Sequence, residues 1–222
     1  MSFCLKNLIT KYIRHTPSYL HVLNKYFSGG ENVKIDHWAH RSLGSSHLIS
    51  GYQKMGYNLM NDVYNFPRFN ATATWLCKPH SNNQRVFVSQ YNNNNEIPEI
   101  NSAKDYEDIY NKNQYLAWTQ VFGNDVNHLA ISVKNIDKWY DIINSDPKLK
   151  LSTDIQMSGD GNLLQFGLKS DLVKHTFMDG STLVIPSYFV EFAERKNGRE
   201  GFESQNADAI FNSTNHEKIV SR

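Results

Sequence analysis

The chain has 222 residues, of which 23 are basic and 22 acidic, so its formal net charge at pH 7 is +1. An apolar content of 40% and an aromatic content of 13% are typical of a packed globular protein and exclude a disordered chain. The balanced charge gives no indication of nucleic-acid binding. No apolar run reaches the roughly 18 residues of a membrane helix.

The cysteines and the first residues bear on the cellular compartment. Cys4 and Cys77 each lie in an apolar stretch, which favours two buried thiols in a reducing compartment over one disulfide. The N-terminal apolar stretches do not form a secretory signal, because basic residues interrupt them at Lys6, Lys11 and Arg14. We therefore expect a cytoplasmic protein. The alternative is an amphipathic organelle-targeting helix, because the first 30 residues include these basic side chains and no acidic one.

The predicted elements of the first half are two helices followed mainly by strands. Residues 1–30 predict the two helices, divided at Pro17. Alternating apolar and polar residues predict a strand at 33–41, and helical spacing follows at 46–56. Further elements are predicted as strands near 58–64, 69–77 and 85–91 and a short helix at 103–111.

The second half repeats this order of elements. Its predicted elements are a strand at 126–133, a helix at 135–145, strands at 163–168, 172–178, 181–185 and 187–195, and a short helix near 206–213. A strand, a helix and several antiparallel strands therefore occur twice, which predicts an α+β fold of paired βαβββ modules. We expect one compact domain, with N-terminal helices at 1–30, modules at 31–125 and 126–214, and a tail at 215–222.

Three of the predicted strands carry residues that are typical metal ligands. Successive side chains of a strand point to opposite faces, so each candidate shares its face with a small alanine two residues away, which leaves room beside it. The candidates and their alanines are His37 with Ala39, His128 with Ala130, and Glu191 with Ala193. Two imidazoles and one carboxylate bind one face of an octahedral iron and leave positions open for substrate and oxygen.

Each of these residues also has a simpler interpretation. A single histidine on a strand is more often a hydrogen-bonded surface or core residue than a ligand, and Glu191 either faces solvent or has a buried partner. Arg41 lies on the face of His37, roughly 13 Å further along the strand. It is placed to bind the distal carboxylate of a small diacid, and an ordinary salt bridge is the alternative. The opposite face of this strand carries Asp36, Trp38 and His40, of which the last two are interpreted as packing or support residues.

Five segments of the sequence, taken together, carry a resemblance to a known family. They are Asp36–Ser42, Arg85–Ser89, Ala117–Thr119 with Val126–His128, Tyr188–Arg195, and Gly201–Phe202 with Ala207–Thr214. In their joint order the chain resembles the 2-oxoadipate dioxygenase/decarboxylase family, also called hydroxyglutarate synthases. The last strand and the following Gly-Phe are similar to the end of 4-hydroxyphenylpyruvate dioxygenases, which belong to the same vicinal-oxygen-chelate superfamily.

The resemblance implies a fold, a site and a reaction. The fold is a pair of βαβββ modules with a mostly antiparallel sheet around a central metal cavity. The resemblance also implies that Arg41 recognises the substrate carboxylate, that Val88 and Ser89 line the pocket, and that Fe(II) is held by His37, His128 and Glu191. The implied reaction converts 2-oxoadipate and O2 to 2-hydroxyglutarate and CO2 without a 2-oxoglutarate cosubstrate. The implied partners are thus a small 2-oxo acid and O2.

Other functions fit the same residues. The chain is alternatively another enzyme of the superfamily, such as an extradiol dioxygenase, an isomerase or a glyoxalase-like lyase. A metal-free module that binds a small molecule is a further alternative. A zinc hydrolase fits the ligands, but the sequence indicates no additional general base.

Overall fold

The computed structural model describes residues 16–27, 34–79, 84–92 and 97–214. The helix predicted before Pro17, the tail at 215–222 and Cys4 lie outside the described residues. Cys77 is a free, buried thiol. Among the described residues, no helix is both long enough and apolar enough to span a membrane.

The described elements are α-helices, β-strands and one 3₁₀ turn. Those of the first half are α1 (Pro17–Tyr26), β1 (Ile35–Ser42), α2 (Ser46–Lys54), β2 (Asn58–Phe66), a 3₁₀ turn (Pro67–Phe69), β3 (Ala71–Cys77) and β4 (Arg85–Tyr91). They are followed by α3 (Ala103–Lys112), α4 (Gln114–Phe122), β5 (Asp125–Ser132), α5 (Ile136–Asn144), β6 (Gln156–Met157) and β7 (Leu163–Gly167). The last elements are β8 (Leu172–Thr176), β9 (Thr182–Pro186), β10 (Phe189–Arg195) and α6 (Ser204–Thr214).

Eight of these strands form one sheet in the order β2-β3-β4-β1-β5-β10-β7-β6. Only the pairs β1/β4 and β5/β10 are parallel, so the sheet is mostly antiparallel. Each half contains a strand and a helix followed by three further strands of the sheet, and in each half the last strand pairs in parallel with the first. The halves meet where β1 pairs with β5. This arrangement agrees with the predicted α+β fold and its repeated module.

Two features differ from the predicted elements. The strands β8 and β9 are a hairpin, as expected, but they form a separate two-stranded sheet. The helix α4 was not predicted, because it lacks the apolar stripe on which such a prediction depends. Five successive residues, Tyr115 to Thr119, are all buried. Asn113 directly precedes the helix, and its side chain accepts a hydrogen bond from the amide of Leu116 and so caps the first turn.

The two faces of the sheet pack against different groups of residues. The larger core contains Trp38, Val88 and Trp118. The opposite face carries a smaller aromatic cluster that includes Phe66, Phe87, Trp75, Tyr115 and Phe202. Residues 36–42 of the central strand β1 are all buried. Polar side chains on this strand therefore need partners within the protein, because a buried polar group without one is costly.

Candidate metal centre

The three strands that carry the candidate ligands are neighbours, in the order β1-β5-β10. In the strand register, His128 lies opposite Ala39 of β1, and Glu191 lies opposite Ala130 of β5. The side chains of His37, His128 and Glu191 consequently meet on one face of the sheet. Their exposed fractions are 2%, 12% and 2%, so Glu191 does not face solvent.

The distances among the three side chains match those of ligands on one face of a metal ion. The Nε2 atoms of His37 and His128 are 3.3 Å apart. The carboxylate oxygens of Glu191 lie 3.7 Å from Nε2 of His37 and 3.4 Å from Nε2 of His128. Metal–ligand bonds of about 2.1 Å at right angles would separate the ligand atoms by about 3 Å. A small contraction around one ion would therefore complete the site.

The orientation of the imidazoles supports a cation between them. Nδ1 of His37 lies 2.8 Å from Oδ1 of Asp36, and a carboxylate only accepts hydrogen bonds, so Nδ1 donates. In the uncharged form of the ring, Nε2 then carries a lone pair. At His128, Nδ1 faces Oδ1 of Asn127 at 3.4 Å, which orients its Nε2 in the same way. Two lone pairs and a carboxylate facing each other fit a metal ion, because a cation replaces their mutual repulsion with attraction.

The carboxylate of Asp36 is held by more than one partner. Arg195 donates to it twice, at 2.7 and 3.0 Å, and Arg85 lies 3.8 Å away. Burial would raise the pKa of Asp36, but the charge of Arg195 and the contact with His37 hold this pKa well below its ordinary range. We expected Asp36 behind the sheet face of His37. This expectation is corrected, because the pairing of β1 and β5 shifts between Ile35 and His37 and Asp36 lies at the bulge.

Burial has the largest effect on the pKa values of His128 and Glu191 when no metal ion is bound. The pKa of His128 lies well below its ordinary value, first because of burial and then because of the neighbouring His37 and Arg41. The ring is therefore neutral and able to bind a metal at pH 7. Burial raises the pKa of Glu191, and His37 and a hydrogen bond from Gln165 act in the opposite direction. A bound cation would favour the charged carboxylate further.

A chain of side-chain amides connects Glu191 to the last helix. Nε2 of Gln165, on β7, donates a hydrogen bond to Oε1 of Glu191. Nδ2 of Asn206, on α6, donates to Oε1 of Gln165 at 3.2 Å. Asn206 is 2% exposed. The position of the carboxylate is thus coupled to the docking of α6.

An aromatic cavity adjoins the three ligands. Phe66, Phe87 and Phe189 line it from the sheet, and Phe202, Ala207 and Ile210 cover it from the C-terminal segment. The ring of Phe202 meets that of His37 edge-on, with a centroid distance of 4.8 Å. The cavity encloses about 30 Å³, which is room for about one water molecule. A six-carbon acid therefore enters only if the side chains or α6 move.

Arg41 lies on the face of His37, further along β1, beyond the residues that line this cavity. It is 2% exposed, and its guanidinium carbon is 5.6 Å from the ring centroid of Tyr115 and 5.5 Å from that of Trp118. Burial lowers the pKa of Arg41 to about 10, so the side chain is charged at pH 7. The two aromatic faces stabilise this charge by cation–π interaction.

The two remaining predicted pocket residues point in opposite directions. Ser89 is paired with Arg41 on the face of the ligands. Its hydroxyl donates to the carbonyl of His40 at 2.8 Å and accepts from Tyr115. Val88 belongs to the larger core on the other face, so the expectation that it lines the pocket is corrected. Neighbouring residues of a regular strand cannot both face one cavity.

The sequence interpretation missed Gln165, Phe202 and Asn206 as residues around the site. No residue pattern marks Gln165, because it lies in a short strand whose five residues are all buried. Phe202 belongs to a segment that carried the family resemblance, and this was the available signal for it. Asn206 lies just before the matched stretch Ala207–Thr214, so no signal marked it. Trp38 and His40, which we predicted to be packing or support residues, lie on the opposite face of the sheet. Both contact the hydroxyl of Tyr52 there.

The fold is of the vicinal-oxygen-chelate type, and three of its strands bring two histidines and one glutamate together. The model of the 2-oxoadipate dioxygenase/decarboxylase family matches residues 80–198. The chain therefore belongs to this family, which confirms the predicted family and the predicted oxygenase class. One relative is the chloroplastic 2-oxoadipate dioxygenase/decarboxylase of Arabidopsis thaliana, with 25% identity over 98% of this chain and 78% of that protein.

Solved structures show the same fold. A hydroxyglutarate synthase from Oryza sativa, in complex with 2-oxoadipate, superposes with a TM-score of 0.84 and 24% identity, covering 96% of this chain and 91% of that chain. A glyoxalase-superfamily protein from Ralstonia eutropha superposes with a TM-score of 0.76 and 18% identity, covering 89% and 83%. The predicted fold of paired modules is confirmed by these similarities.

The expected cytoplasmic location is wrong. The finding against it is that the plant relatives are named chloroplastic or, in rice, chloroplastic/amyloplastic. The expectation depended on the absence of a secretory signal and on the reduced state inferred for two thiols, and neither feature distinguishes the cytoplasm from a reducing organelle. The basic segment at 1–15, which carried the alternative, lies outside the described residues.

Proposed function

We propose that this chain is an Fe(II)-dependent dioxygenase that converts a 2-oxo diacid of the 2-oxoadipate type and O2 to the shortened 2-hydroxy acid and CO2. The iron is held by His37, His128 and Glu191. The observation that carries the proposal is the convergence of these three side chains, from three neighbouring strands, within 3.3 to 3.7 Å of one another.

The donor set supports iron over other metals. Two imidazoles and one carboxylate are the ligands of non-haem Fe(II) oxygenases, and they leave open positions on the metal. When bound, Fe(II) supplies the electrons that activate O2. The reaction balances without a cosubstrate, since one oxygen atom enters the new carboxylate and the other enters the hydroxyl group of the product.

The residues of the chain supply binding and exclusion of water. The guanidinium of Arg41, charged and packed on Tyr115 and Trp118, binds the distal carboxylate of the substrate. Phe202 and the cavity-lining residues of α6 cover the reacting end and keep bulk water from it. Gln165 holds Glu191 in position while the substrate binds.

Anaerobic reconstitution tests the proposal. Metal-free protein is loaded with Fe(II), and oxygen uptake, CO2 release and the 2-hydroxy acid are measured over a panel of 2-oxo acids that begins with 2-oxoadipate. We expect equimolar O2 consumption and CO2 release with the diacid. Protein loaded with Zn(II) is the control, because this metal fits the ligands but has no redox chemistry.

Three results would overturn the proposal. Fe(II)-loaded protein that consumes no oxygen with any 2-oxo acid would indicate another chemistry of the superfamily, such as isomerisation. Protein that binds none of the divalent metals would indicate a metal-free binding module. Oxygen consumption without CO2 release, as expected of an extradiol dioxygenase, would also contradict it.

A further inference from the structure

The residues that precede the two histidine ligands share an unusual position in the sheet. Between β1 and β5, the register shifts once between Ile35 and His37, and again where Ala39 and His40 pair with His128 and Val126. The extra residue is Asp36 at the first irregularity and Asn127 at the second. β-Bulges re-aim side chains and are common next to active sites.

Each extra residue directs its side-chain oxygen to the imidazole that follows it. Oδ1 of Asp36 is 2.8 Å from Nδ1 of His37, and Oδ1 of Asn127 is 3.4 Å from Nδ1 of His128. In a regular strand, residues next to each other point to opposite faces, so these contacts depend on the bulges. Asp36 and Asn127 are 4% and 3% exposed.

The two residues are anchored differently. Asp36 is charged, and Arg195 donates two hydrogen bonds to it, at 2.7 and 3.0 Å. Arg195 also donates to the carbonyls of Glu200 and Gly201, at 3.0 and 2.6 Å. These carbonyls directly precede Phe202, which covers the ring of His37. Asn127 is neutral, and its contact with His128 is longer.

We propose that Asp36 and Asn127 are positioning residues that fix the rings of the two metal-binding histidines, and that Asp36 has the larger effect. Each one accepts a hydrogen bond from the Nδ1–H group of the following histidine, and the lone pair on Nε2 of that histidine then points at the metal. The inference rests on the proposed function, because it assumes that His37 and His128 bind a metal. It assigns a role at the metal site to two residues that contact neither the metal nor the substrate.

A difference in metal affinity follows from the geometry. Outer-shell partners of metal-binding histidines typically change metal affinity by about 10–100-fold. Asp36→Ala is expected in this range, because the variant loses a short contact from a charged oxygen. Asn127→Ala is expected to lose about threefold to tenfold, because a 3.4 Å contact is long for a hydrogen bond. Asp36→Asn keeps an acceptor of the same shape and should restore part of the loss.

The test measures Co(II) binding by the metal-free full chain, in competition with a chromophoric chelator. The free energy of unfolding of each metal-free variant is measured in parallel with urea. Asp154→Ala is the matched control, because it also removes a hydrogen-bonded carboxylate, one that accepts from Tyr140 away from the site. We expect its Co(II) affinity to equal that of the unaltered protein.

The outcomes separate the two levels of the proposal. If the unaltered protein binds no Co(II), the proposed function fails. If it binds Co(II) and both alanine variants bind it equally well, the positioning role is overturned, and any loss of unfolding free energy then reports a purely structural contact. If neither Asp36 variant folds, Asn127→Ala decides the inference alone, because it leaves the Asp36–Arg195 ion pair in place; unchanged affinity overturns the inference.

Discussion

The Nε2 atoms of His37 and His128 face each other across 3.3 Å, although 91 residues separate the two histidines in the chain. The contact arises because β1 and β5, the first strands of the two modules, are paired at the centre of the sheet. Glu191 comes from β10, the last strand of the second module, which pairs with β5. The candidate metal site therefore depends on both modules and on the pairing between them.

Replacing Glu191 by glutamine should separate metal binding from folding. The variant keeps the size of the side chain but removes the charge, so we expect metal affinity to fall at least about 100-fold, beyond the effect of an outer-shell change. Because an unpaired buried charge is costly, the metal-free variant should be at least as stable as the unaltered protein. Metal content after dialysis and urea unfolding are the two measurements.

The control for this variant is His47→Ala, which removes an exposed histidine. It should retain the metal content of the unaltered protein. A Glu191→Gln variant that keeps its metal, or that loses stability without metal, would indicate that Glu191 has only a structural role.

Replacing Arg41 by alanine should change the selectivity between acids. Loss of one partner of a buried charged pair costs about 2–5 kcal/mol, so the KM for 2-oxoadipate should rise about 30-fold or more. The KM for a 2-oxo monocarboxylic acid should change little, because it has no distal carboxylate. Steady-state oxygen uptake with both acids provides the measurement.

Arg68→Ala is the matched control for Arg41→Ala. Arg68 also lies over an aromatic ring, that of Phe69 at 5.5 Å, but it is exposed. It should leave both constants unchanged. An equal loss on the two acids in Arg41→Ala would assign Arg41 to packing against Tyr115 and Trp118 and remove it from substrate recognition.

Much of the fold and the candidate ligand set could be predicted from the sequence, because both depend on local residue patterns. The order of strand and helix patterns is a local property, and its repetition after residue 126 predicted the paired modules. The faces of His37, His128 and Glu191 followed from strand alternation. Their convergence also required the strand order, which alternation does not determine, and here the family resemblance supplied what the local pattern did not.

The errors occurred where local rules fail. Alternation placed Asp36 away from His37, but a bulge, which no residue pattern marks, returns its carboxylate to the imidazole. Val88 was taken together with Ser89 from the family resemblance alone, although strand alternation places these neighbours on opposite faces. The helix α4 was missed because burial on all sides removes the helical period from the sequence.

Replacing Asn206 by alanine should loosen the cover of the site. Nδ2 of Asn206 donates to Gln165 at 3.2 Å and lies 3.4 Å from the carbonyl of Leu163, so the substitution removes contacts that dock α6. If the substitution lowers the free energy of local unfolding of α6 by about 1 kcal/mol, amide exchange in residues 204–214 should become about fivefold faster. Hydrogen exchange followed by mass spectrometry measures this.

The neighbouring Gln205→Ala is the control, because Gln205 is exposed on the same helix. Its amide exchange should match that of the unaltered protein. Equal exchange in Asn206→Ala would show that the amide chain between α6 and Glu191 does not hold the helix in place.

The buried His40 should make stability depend on pH. The indole of Trp38 donates to the hydroxyl of Tyr52 at 2.8 Å, and this hydroxyl lies 2.7 Å from Nε2 of His40. Nε2 of His40 and the hydroxyl of Tyr52 therefore share a hydrogen bond inside the core, and burial keeps the imidazole neutral at pH 7. Burial lowers the pKa of His40 from 6.5 to about 4.

The sign follows from proton binding. The unfolded chain binds a proton at His40 near pH 6.5 and the folded chain only near pH 4, so acidification through this window favours unfolding. Between pH 7 and pH 5, the unaltered protein should lose about 2 kcal/mol more unfolding free energy than His40→Gln. Urea unfolding of both metal-free proteins at the two pH values measures these changes in unfolding free energy. Equal changes in the two proteins would contradict the prediction, because they would mean that the folded protein protonates His40 as readily as the unfolded chain does. Other buried histidines such as His128 act equally in both proteins, so the comparison isolates the imidazole held by Tyr52.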